Sequence, residues 1–373
     1  MSYRINLTCR KFSLIGIFLL FLQSGIAQSD FNKVDVWLKD NVQDLGGRAV
    51  LVVYKDGKIV YDHAENNLTN KQRAISKFIA RRKGINPENI MQDFSSNTRE
   101  RIASSSKWLS AALVMTFIDE GRLSLDDTIG KFLPVLSAHG KGNIKIWECL
   151  SHMTGIKAPT MKESINSMKD IPNMDSAISL IATLPMEGEH GKTFHYSSIG
   201  LQIVGAIIEK ISGKDFETLF TMRIAEPLGM KNTDFGHGKL AMPAGSAWST
   251  AEEYTRFLTM ILNEGVYKGK RILSKNAIIE MQKNRIKPLT NIVYSPAEAG
   301  NWGYGLGEWV MDDATENKRS LAITSPGLFG SFPWVDNKNR YSAFLMCFYI
   351  KSKGRNERYK ELKSLVDDAI KAN

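Results

Sequence analysis

Residues 101–110, RIASSSKWLS, place three consecutive serines and a lysine at the start of a long apolar segment. Ser104 and Lys107 are three positions apart, so on a helix they share one face, about one turn apart. A serine hydroxyl becomes a nucleophile when a base takes its proton, and a lysine can do so if burial destabilises its ammonium. The next residues, WLSAALVMTFI, predict a buried helix because most of its faces are apolar. The stretch therefore suits a Ser–Lys dyad.

Two plainer interpretations compete with catalysis here. An S-x-x-K pattern arises by chance in a chain rich in serine and lysine, so a single match is weak. Serine also favours the start of a helix, where its hydroxyl caps free N–H groups. A catalytic serine of this type needs a second polar group near its hydroxyl, and N–H donors for the oxyanion that forms on the substrate. The rest of the chain has to supply both.

Two later segments carry such groups. FHYSSIGLQIVGAIIEKISG places Tyr196 and Ser198 just before an apolar helix. TSPGLFGSFPW places Ser325 and Gly327 at the end of a predicted strand. Because Pro326 cannot donate to a strand ladder, we expect this strand at the edge of a sheet, beside a cleft. A glycine there lets the backbone of a substrate approach closely.

The order of the predicted elements indicates an α/β fold. RAVLVVYKDGKIVYD predicts a hairpin around Asp56–Gly57, after a short helix over residues 31–42. Residues 65–100 are polar and are predicted to be irregular, whereas residues 101 to about 285 have a mainly helical pattern. Strand character returns in YGLGEWVM, RSLAIT and YSAFLMCFYI, with a turn-rich SPGLFGSFPWVDNKN between the last two. A charged helix over roughly 356–371 follows.

We therefore predict one antiparallel five-stranded sheet, built from about 48–62 and 303–350. The terminal helices would pack on it, and the helical region of about 101–285 would be inserted between its two parts. The pattern differs from alternating βαβ units.

The first 27 residues differ from the rest of the chain. Three basic residues precede the apolar run Phe12–Leu22, and small residues follow it, as is typical of a signal peptide. We predict a signal peptide over residues 1–27, cleavage before Gln28, and a periplasmic or secreted domain over residues 28–373. A signal anchor is the alternative. The later chain predicts no stable membrane span.

Charge and motifs narrow the function further. Loss of the leader's three basic residues lowers the formal charge from +10 to +7. The densest basic segment, KFIARRK (77–83), lacks a nucleic-acid motif, so we interpret it as a solvated face and expect no nucleic-acid partner. We predict no metal and no nucleotide cofactor, since the chain lacks H-E-x-x-H, C-x-x-C and a P-loop. Cys149 and Cys347 lie in apolar contexts that favour buried free thiols over a disulfide.

These segments together resemble the serine β-lactamase and penicillin-recognising superfamily, specifically its β-lactamase-related serine hydrolases. That group includes class C-like enzymes, family VIII esterases and D-aminopeptidases. The resemblance runs from about Ala49 to Phe348 and includes IWECLSHMTGI, EPLGMKNTDF and WGYGLGEW. It implies a β-lactamase/transpeptidase-like fold. The sequence lacks the G-x-S-x-G motif that carries the nucleophilic serine of α/β-hydrolases, so it does not support an α/β-hydrolase.

The resemblance also implies roles for individual residues. Ser104 would be the acylated nucleophile and Lys107 its proton acceptor. Tyr196 would be a second acid/base group that passes a proton to the leaving group. Backbone N–H groups of Ser104 and Leu328 would form the oxyanion hole, and Gly327 would lie in the same substrate-binding loop.

Two departures from the family pattern affect the expected substrate. The second motif of the family is usually Tyr-x-Asn, but here Ser198 replaces the asparagine. The third motif usually begins with Lys or His, but here it begins with Ser325. We expect both serines to contact substrate, and His152 to be structural. Phe329, Phe332 and Trp334 would favour an apolar acyl or leaving group. The alternative for the Phe and Trp of FPW is that they simply pack in the core.

The predicted substrates are small esters, amides or D-amino-acid peptides. The alternatives are a β-lactamase, a D-Ala-D-Ala carboxypeptidase and a non-catalytic ligand-binding protein. The sequence leaves the oligomeric state open.

Overall fold

The computed structural model describes residues 1, 30–160, 163, 171–236, 238, 240–313, 319–351 and 353–372. The apolar run of the predicted signal peptide lies outside the described residues, so the signal peptide stays a prediction. In the described part of the chain, no helix has both the length and the apolar character needed to cross a membrane.

An antiparallel sheet of seven strands forms the centre of the molecule. The strands are β1 (Arg48–Lys55), β2 (Lys58–Asn66), β3 (Gly303–Tyr304), β4 (Trp309–Asp312), β5 (Ala322–Thr324), β6 (Phe332–Asp336) and β7 (Tyr341–Cys347). Their order in the sheet is β2-β1-β7-β6-β5-β4-β3. The predicted β1–β2 hairpin is present, and both residues of its turn, Asp56 and Gly57, have positive φ, as a two-residue type I′ turn requires.

The predicted antiparallel fold is confirmed, but the sheet has seven strands instead of five. YGLGEWVM forms two short strands, β3 and β4, joined by a turn. FPWVD, which we predicted as part of a turn-rich segment, is β6. All five residues of β6 are buried, so the strand lacks the apolar–polar alternation that would have revealed it.

The expected edge position of β5 is wrong. Thr324, its last residue, pairs with Trp309 of β4 on one side and with Trp334 of β6 on the other. The strand ends before Ser325 and Pro326. The missing N–H of Pro326 is therefore not needed in the ladder, and an interior strand is compatible with the proline.

Helices cover both faces of the sheet. The longer ones are α1 (Asn32–Asn41), α2 (Asn70–Lys83), α3 (Ser106–Asp119), α4 (Met174–Thr183), α5 (Ile199–Ser212), α6 (Ala251–Leu262), α7 (Lys275–Gln282) and α8 (Arg355–Lys371). Shorter helical segments are Pro87–Met91, Ala103–Ser105, Ile129–Lys131, Pro134–Ala138, Ile146–Leu150, Phe216–Phe220, Thr221–Ala225, Glu226–Leu228 and Ala297–Ala299. The described residues also form three small strand pairs: Glu100–Arg101 with Trp248–Ser249, Thr193–His195 with Asn291–Tyr294, and Val266–Tyr267 with Lys270–Arg271.

Alternation along the central strands divides the interior into two cores. Val50 and Val52 of β1 face a core shared with α3, α5 and α6. Leu51 and Val53 face the other core, which the terminal helices α1 and α8 close. This arrangement follows from the period of two in a strand. Cys149 and Cys347 are buried free thiols, one in each core, as predicted.

The prediction that residues 65–100 are irregular is wrong, because they contain α2. Thr69 accepts a hydrogen bond from the Gln72 N–H, and the Gln72 side chain accepts one from the Thr69 N–H, which is a capping box. Gly84, with φ +64°, ends the helix. The T-x-x-Q and glycine signals were present in the sequence. The apolar pattern gives no matching helix signal, because α2 lacks the buried apolar face expected of a helix in a globular protein.

Candidate active site

Ser104 lies in the short helical turn Ala103–Ser105, immediately before the buried helix α3. Ala103 has φ +46°, a left-handed conformation that is strained for a residue with a side chain. The Ile102 N–H donates to the Ala247 carbonyl at 3.0 Å and fixes the start of this turn. Strain of this kind often marks a functional site, since the surrounding structure has to hold it in place.

Of the three consecutive serines, Ser104 is the accessible one. Ser104 is partly exposed, whereas Ser105 and Ser106 are fully buried. The Ser105 hydroxyl donates to the Ser325 carbonyl at 2.7 Å, and that of Ser106 donates to the Ala103 carbonyl at 2.5 Å. Ser105, at the N-cap of α3, forms no side-chain cap, so the capping interpretation does not explain the cluster.

Lys107 has the position and the burial that a base for Ser104 would need. Its Nζ lies 3.0 Å from the Ser104 Oγ and donates to the Ala244 carbonyl at 2.8 Å. Lys107 is only 3% exposed, and this burial lowers its pKa to about 7. A substantial fraction of the amine is therefore neutral near pH 7, with a lone pair available for the serine proton.

Tyr196 approaches the same hydroxyl from the residues that precede α5. Its ring lies between His152 and Trp309, with centroid distances of 4.6 Å and 5.1 Å. Lys107 Nζ lies 4.6 Å from the centroid of the Tyr196 ring. The tyrosine hydroxyl interacts with Ser104 and with the Trp309 side chain, while burial raises its pKa. Tyr196 therefore stays a neutral phenol, which can donate a proton.

His152 packs against the ring of Tyr196. It is buried, with φ +60°. Its Nδ1 accepts from the Ser197 N–H at 3.4 Å, so Nε2 carries the hydrogen that faces the Tyr304 hydroxyl at 2.9 Å. Burial lowers the pKa of His152 well below its usual value and keeps the ring neutral. This placement agrees with the expected structural role.

The loop after β5 passes beside Ser104. Ser325 is buried, and its hydroxyl faces the carbonyls of Ser104 and Gly307 at 3.4 Å and 3.3 Å. The Gly327 N–H donates to the Ser331 carbonyl at 2.8 Å. Leu328 is partly exposed, and its N–H is the candidate partner of the Ser104 N–H in an oxyanion hole.

Gly327 is required by the close packing of this loop. A Cβ on Gly327 would lie 2.2 Å from the Ile102 carbonyl oxygen and 2.2 Å from the Ser331 hydroxyl. The glycine therefore brings the loop against the strained turn that carries Ser104.

Of the three aromatic residues expected near the site, only Phe329 is partly exposed. Phe332 and Trp334 are fully buried in the core under α8, and Phe332 stacks on Tyr359 at 4.0 Å. Because neither side chain is exposed, they pack in the core, which was the alternative interpretation, and do not line an open pocket. Phe329 is partly exposed and stacks on Phe348 at 4.8 Å. Successive side chains of a strand point to opposite faces of the sheet. Closeness to the third motif in the sequence therefore does not determine which face Phe332 and Trp334 occupy.

Ser198, the altered position of the second motif, is exposed directly before α5 and forms no side-chain cap there. Its contact with substrate stays a prediction. In the described part of the chain, no group of His, Cys, Asp or Glu side chains could hold a metal ion.

The comparison with protein families decides the identity of the fold. The family model described as Beta-lactamase matches residues 38–365, which is most of the chain. The chain belongs to the beta-lactamase family. The match includes Ser104, Lys107, Tyr196 and the loop after β5, and it confirms the predicted resemblance and the prediction of a β-lactamase-related serine hydrolase.

Proteins similar to this beta-lactamase family chain include a sequence relative and two solved structures that share its fold. Protein Rv1367c of Mycobacterium tuberculosis is 25% identical over 293 residues, 64% of this chain and 72% of the relative. EstCE1, a hydrolase with promiscuous acyltransferase activity, superposes with a TM-score of 0.70 at 18% identity, over 92% of this chain and 99% of its own. A family VIII carboxylesterase superposes with a TM-score of 0.67 at 18% identity, over 89% and 96% of the two chains. The two structures share the fold with this chain.

Proposed function

We propose that this protein is an exported esterase-like hydrolase that forms an acyl-enzyme on Ser104 and transfers the acyl group to water. The observation that carries the proposal is the contact of 3.0 Å between the accessible Ser104 hydroxyl and the buried Lys107 amine. A buried amine with a lowered pKa and a serine within hydrogen-bond distance form an activated nucleophile.

In the proposed reaction, neutral Lys107 takes the Ser104 proton as Oγ attacks the carbonyl carbon of the substrate. The N–H groups of Ser104 and Leu328 stabilise the oxyanion. Neutral Tyr196 donates its proton to the leaving oxygen and recovers one from the Lys107 ammonium. Water then attacks the acyl-enzyme with the same groups in reverse order, and Ser104 is regenerated.

The third motif supports neutral substrates over anionic ones. Ser325 is uncharged and buried against main-chain carbonyls. At most it would offer a substrate carboxylate one neutral hydrogen bond, worth about 0.5–1.5 kcal/mol. A charged Lys or His at this position would contribute roughly twice as much. We therefore propose a neutral short-chain ester as a better substrate than a β-lactam or a D-Ala-D-Ala peptide.

The esterase proposal also agrees with the carboxylesterase among the similar structures. Amides and D-amino-acid peptides remain within the same chemistry, since the acyl-enzyme step is shared. A strict β-lactamase or carboxypeptidase is disfavoured by Ser325. A purely ligand-binding protein is disfavoured by the assembled contact between Ser104 and Lys107.

The test combines covalent labelling with a substrate panel. A fluorophosphonate probe should label the mature protein, and Ser104→Ala should lose both labelling and turnover while its thermal unfolding stays unchanged. Ser106→Ala is the matched control and should keep labelling. Labelling that persists in Ser104→Ala would overturn the nucleophile. Faster hydrolysis of a β-lactam or a D-Ala-D-Ala peptide than of the ester under matched conditions would overturn the substrate class.

A further inference from the structure

Helix α2 exposes an apolar stripe that neither core uses. Ile75, Phe78 and Ile79 are 49%, 61% and 41% exposed. The two hydrophobic cores do not include them. Because these residues are spaced by three and four, they lie on one face of the helix. Among the described side chains of α2, only Ala80 is buried. The protein therefore keeps large apolar groups in water on a helix that contributes little to its interior.

The same helix is strongly basic. The helix contains no Asp or Glu. Its basic residues are Lys71, Arg73, Lys77, Arg81, Arg82 and Lys83. Lys71 precedes Ile75 by four positions and Arg82 follows Phe78 by four. Both are exposed, and both continue the apolar stripe at its two ends. Apolar and cationic side chains thus share one convex surface, which we call the α2 stripe: Lys71, Ile75, Phe78, Ile79 and Arg82.

We propose that the α2 stripe binds the surface of a membrane that contains anionic phospholipids. The apolar side chains would enter the boundary between headgroups and acyl chains, and Lys71 and Arg82 would bind lipid phosphates. Long basic side chains can keep their charge at the headgroups while their methylene groups lie on apolar surface. An amphipathic basic helix is suited to such interfacial binding.

The geometry favours a membrane over other polyanions. α2 has 14 residues and is about 21 Å long, so it can lie along an interface but cannot span a bilayer. A nucleic acid would bind its cations but would leave Ile75 and Phe78 in water. A bilayer satisfies both kinds of side chain at once. Binding of this kind would hold an exported hydrolase beside the membrane while leaving its fold unchanged.

The test is cosedimentation of the mature chain with vesicles of phosphatidylcholine, with and without phosphatidylglycerol. Wild-type protein should bind the vesicles that contain phosphatidylglycerol, and added salt should weaken the binding. Lys71→Glu/Arg82→Glu should reduce the partition coefficient by more than about tenfold. Phe78→Ser keeps the charge and should also reduce it, by about tenfold.

Lys268→Glu/Lys270→Glu is the charge-matched control, since both lysines are exposed on the hairpin formed by Val266–Tyr267 and Lys270–Arg271. This variant should bind as wild type, and all variants should unfold at the same temperature. Equal losses in the control and in the α2 variants would show that only net charge matters, and would overturn the proposal. A wild-type protein that ignores the vesicles but binds polyglutamate through Lys71 and Arg82 would make α2 a docking surface for an acidic protein instead. None of these outcomes depends on Ser104, so they are separate from the esterase test.

Discussion

Lys107 and Tyr196 both interact with the Ser104 hydroxyl, and burial shifts their pKa values in opposite directions. Burial lowers the pKa of the lysine to about 7 because the charged ammonium is disfavoured. It raises the pKa of the tyrosine because the charged phenolate is disfavoured. At neutral pH the lysine can therefore accept a proton and the tyrosine can donate one. These opposite shifts support the proposed roles of Lys107 as the base and Tyr196 as the acid.

The pH dependence of the reaction follows from Lys107. The neutral amine is present above a pKa of about 7 and is lost below it. We expect kcat/KM for a neutral ester to rise with pH through this value and to level off above it. The measurement is a pH–rate profile under conditions where the protein stays folded. A flat profile across neutral pH would show that Lys107 is not the base.

Removal of the Tyr196 hydroxyl tests the acid. Tyr196→Phe keeps the ring between His152 and Trp309 but removes the proton donor. We expect kcat to fall by about 10²–10⁴, the usual contribution of a general acid or base. Thermal unfolding should change little. Steady-state kinetics with the ester measures the effect, and unchanged activity would make Tyr196 a packing residue only.

At the scale of elements, the active site depends on how closely the loop after β5 approaches the turn before α3. Gly327 permits this approach, because a Cβ would lie 2.2 Å from the Ile102 carbonyl oxygen. Ile102 is two residues before Ser104. Any side chain at position 327 therefore separates the two segments that would supply the oxyanion N–H groups.

Gly327→Ala should displace Leu328 from the nucleophile and lower kcat by about 10²-fold, the order expected when one oxyanion donor is lost. The matched control is Gly245→Ala, since a Cβ on Gly245 would meet no heavy atom within 4 Å. Esterase assays of both variants, with circular dichroism to check folding, make the comparison. Equal kcat values for the two variants would show that the oxyanion hole does not depend on Gly327.

At the scale of the whole molecule, the family match and the predicted signal peptide occupy separate parts of the sequence. The family match begins at residue 38, after the predicted signal peptide. We expect the exported protein to begin at Gln28 or close to it. Mass spectrometry of the mature protein from the periplasm or medium measures this. Recovery of the intact chain from the cytoplasmic fraction would contradict export.

The sequence by itself was enough to pair Ser104 with Lys107, because residues three apart on a helix meet wherever that helix lies. It was also enough for the β1–β2 hairpin, whose Asp56–Gly57 turn is a local signal. The family motifs extended this to Tyr196 and to the loop after β5, although those segments are far apart along the chain.

Only the tertiary structure decided the remaining features, because each depends on contacts between distant segments. The pKa of Lys107 results from burial by residues far along the chain, such as Ala244. The side of the sheet taken by Phe332 was set by the register of β6 against β7, since a shift of one residue reverses every side chain. Helix α2 shows the same division between local and long-range features. Its capping residues are local signals and can be read from the sequence. The exposure of Phe78 depends on where the rest of the chain packs, so only the tertiary structure shows it.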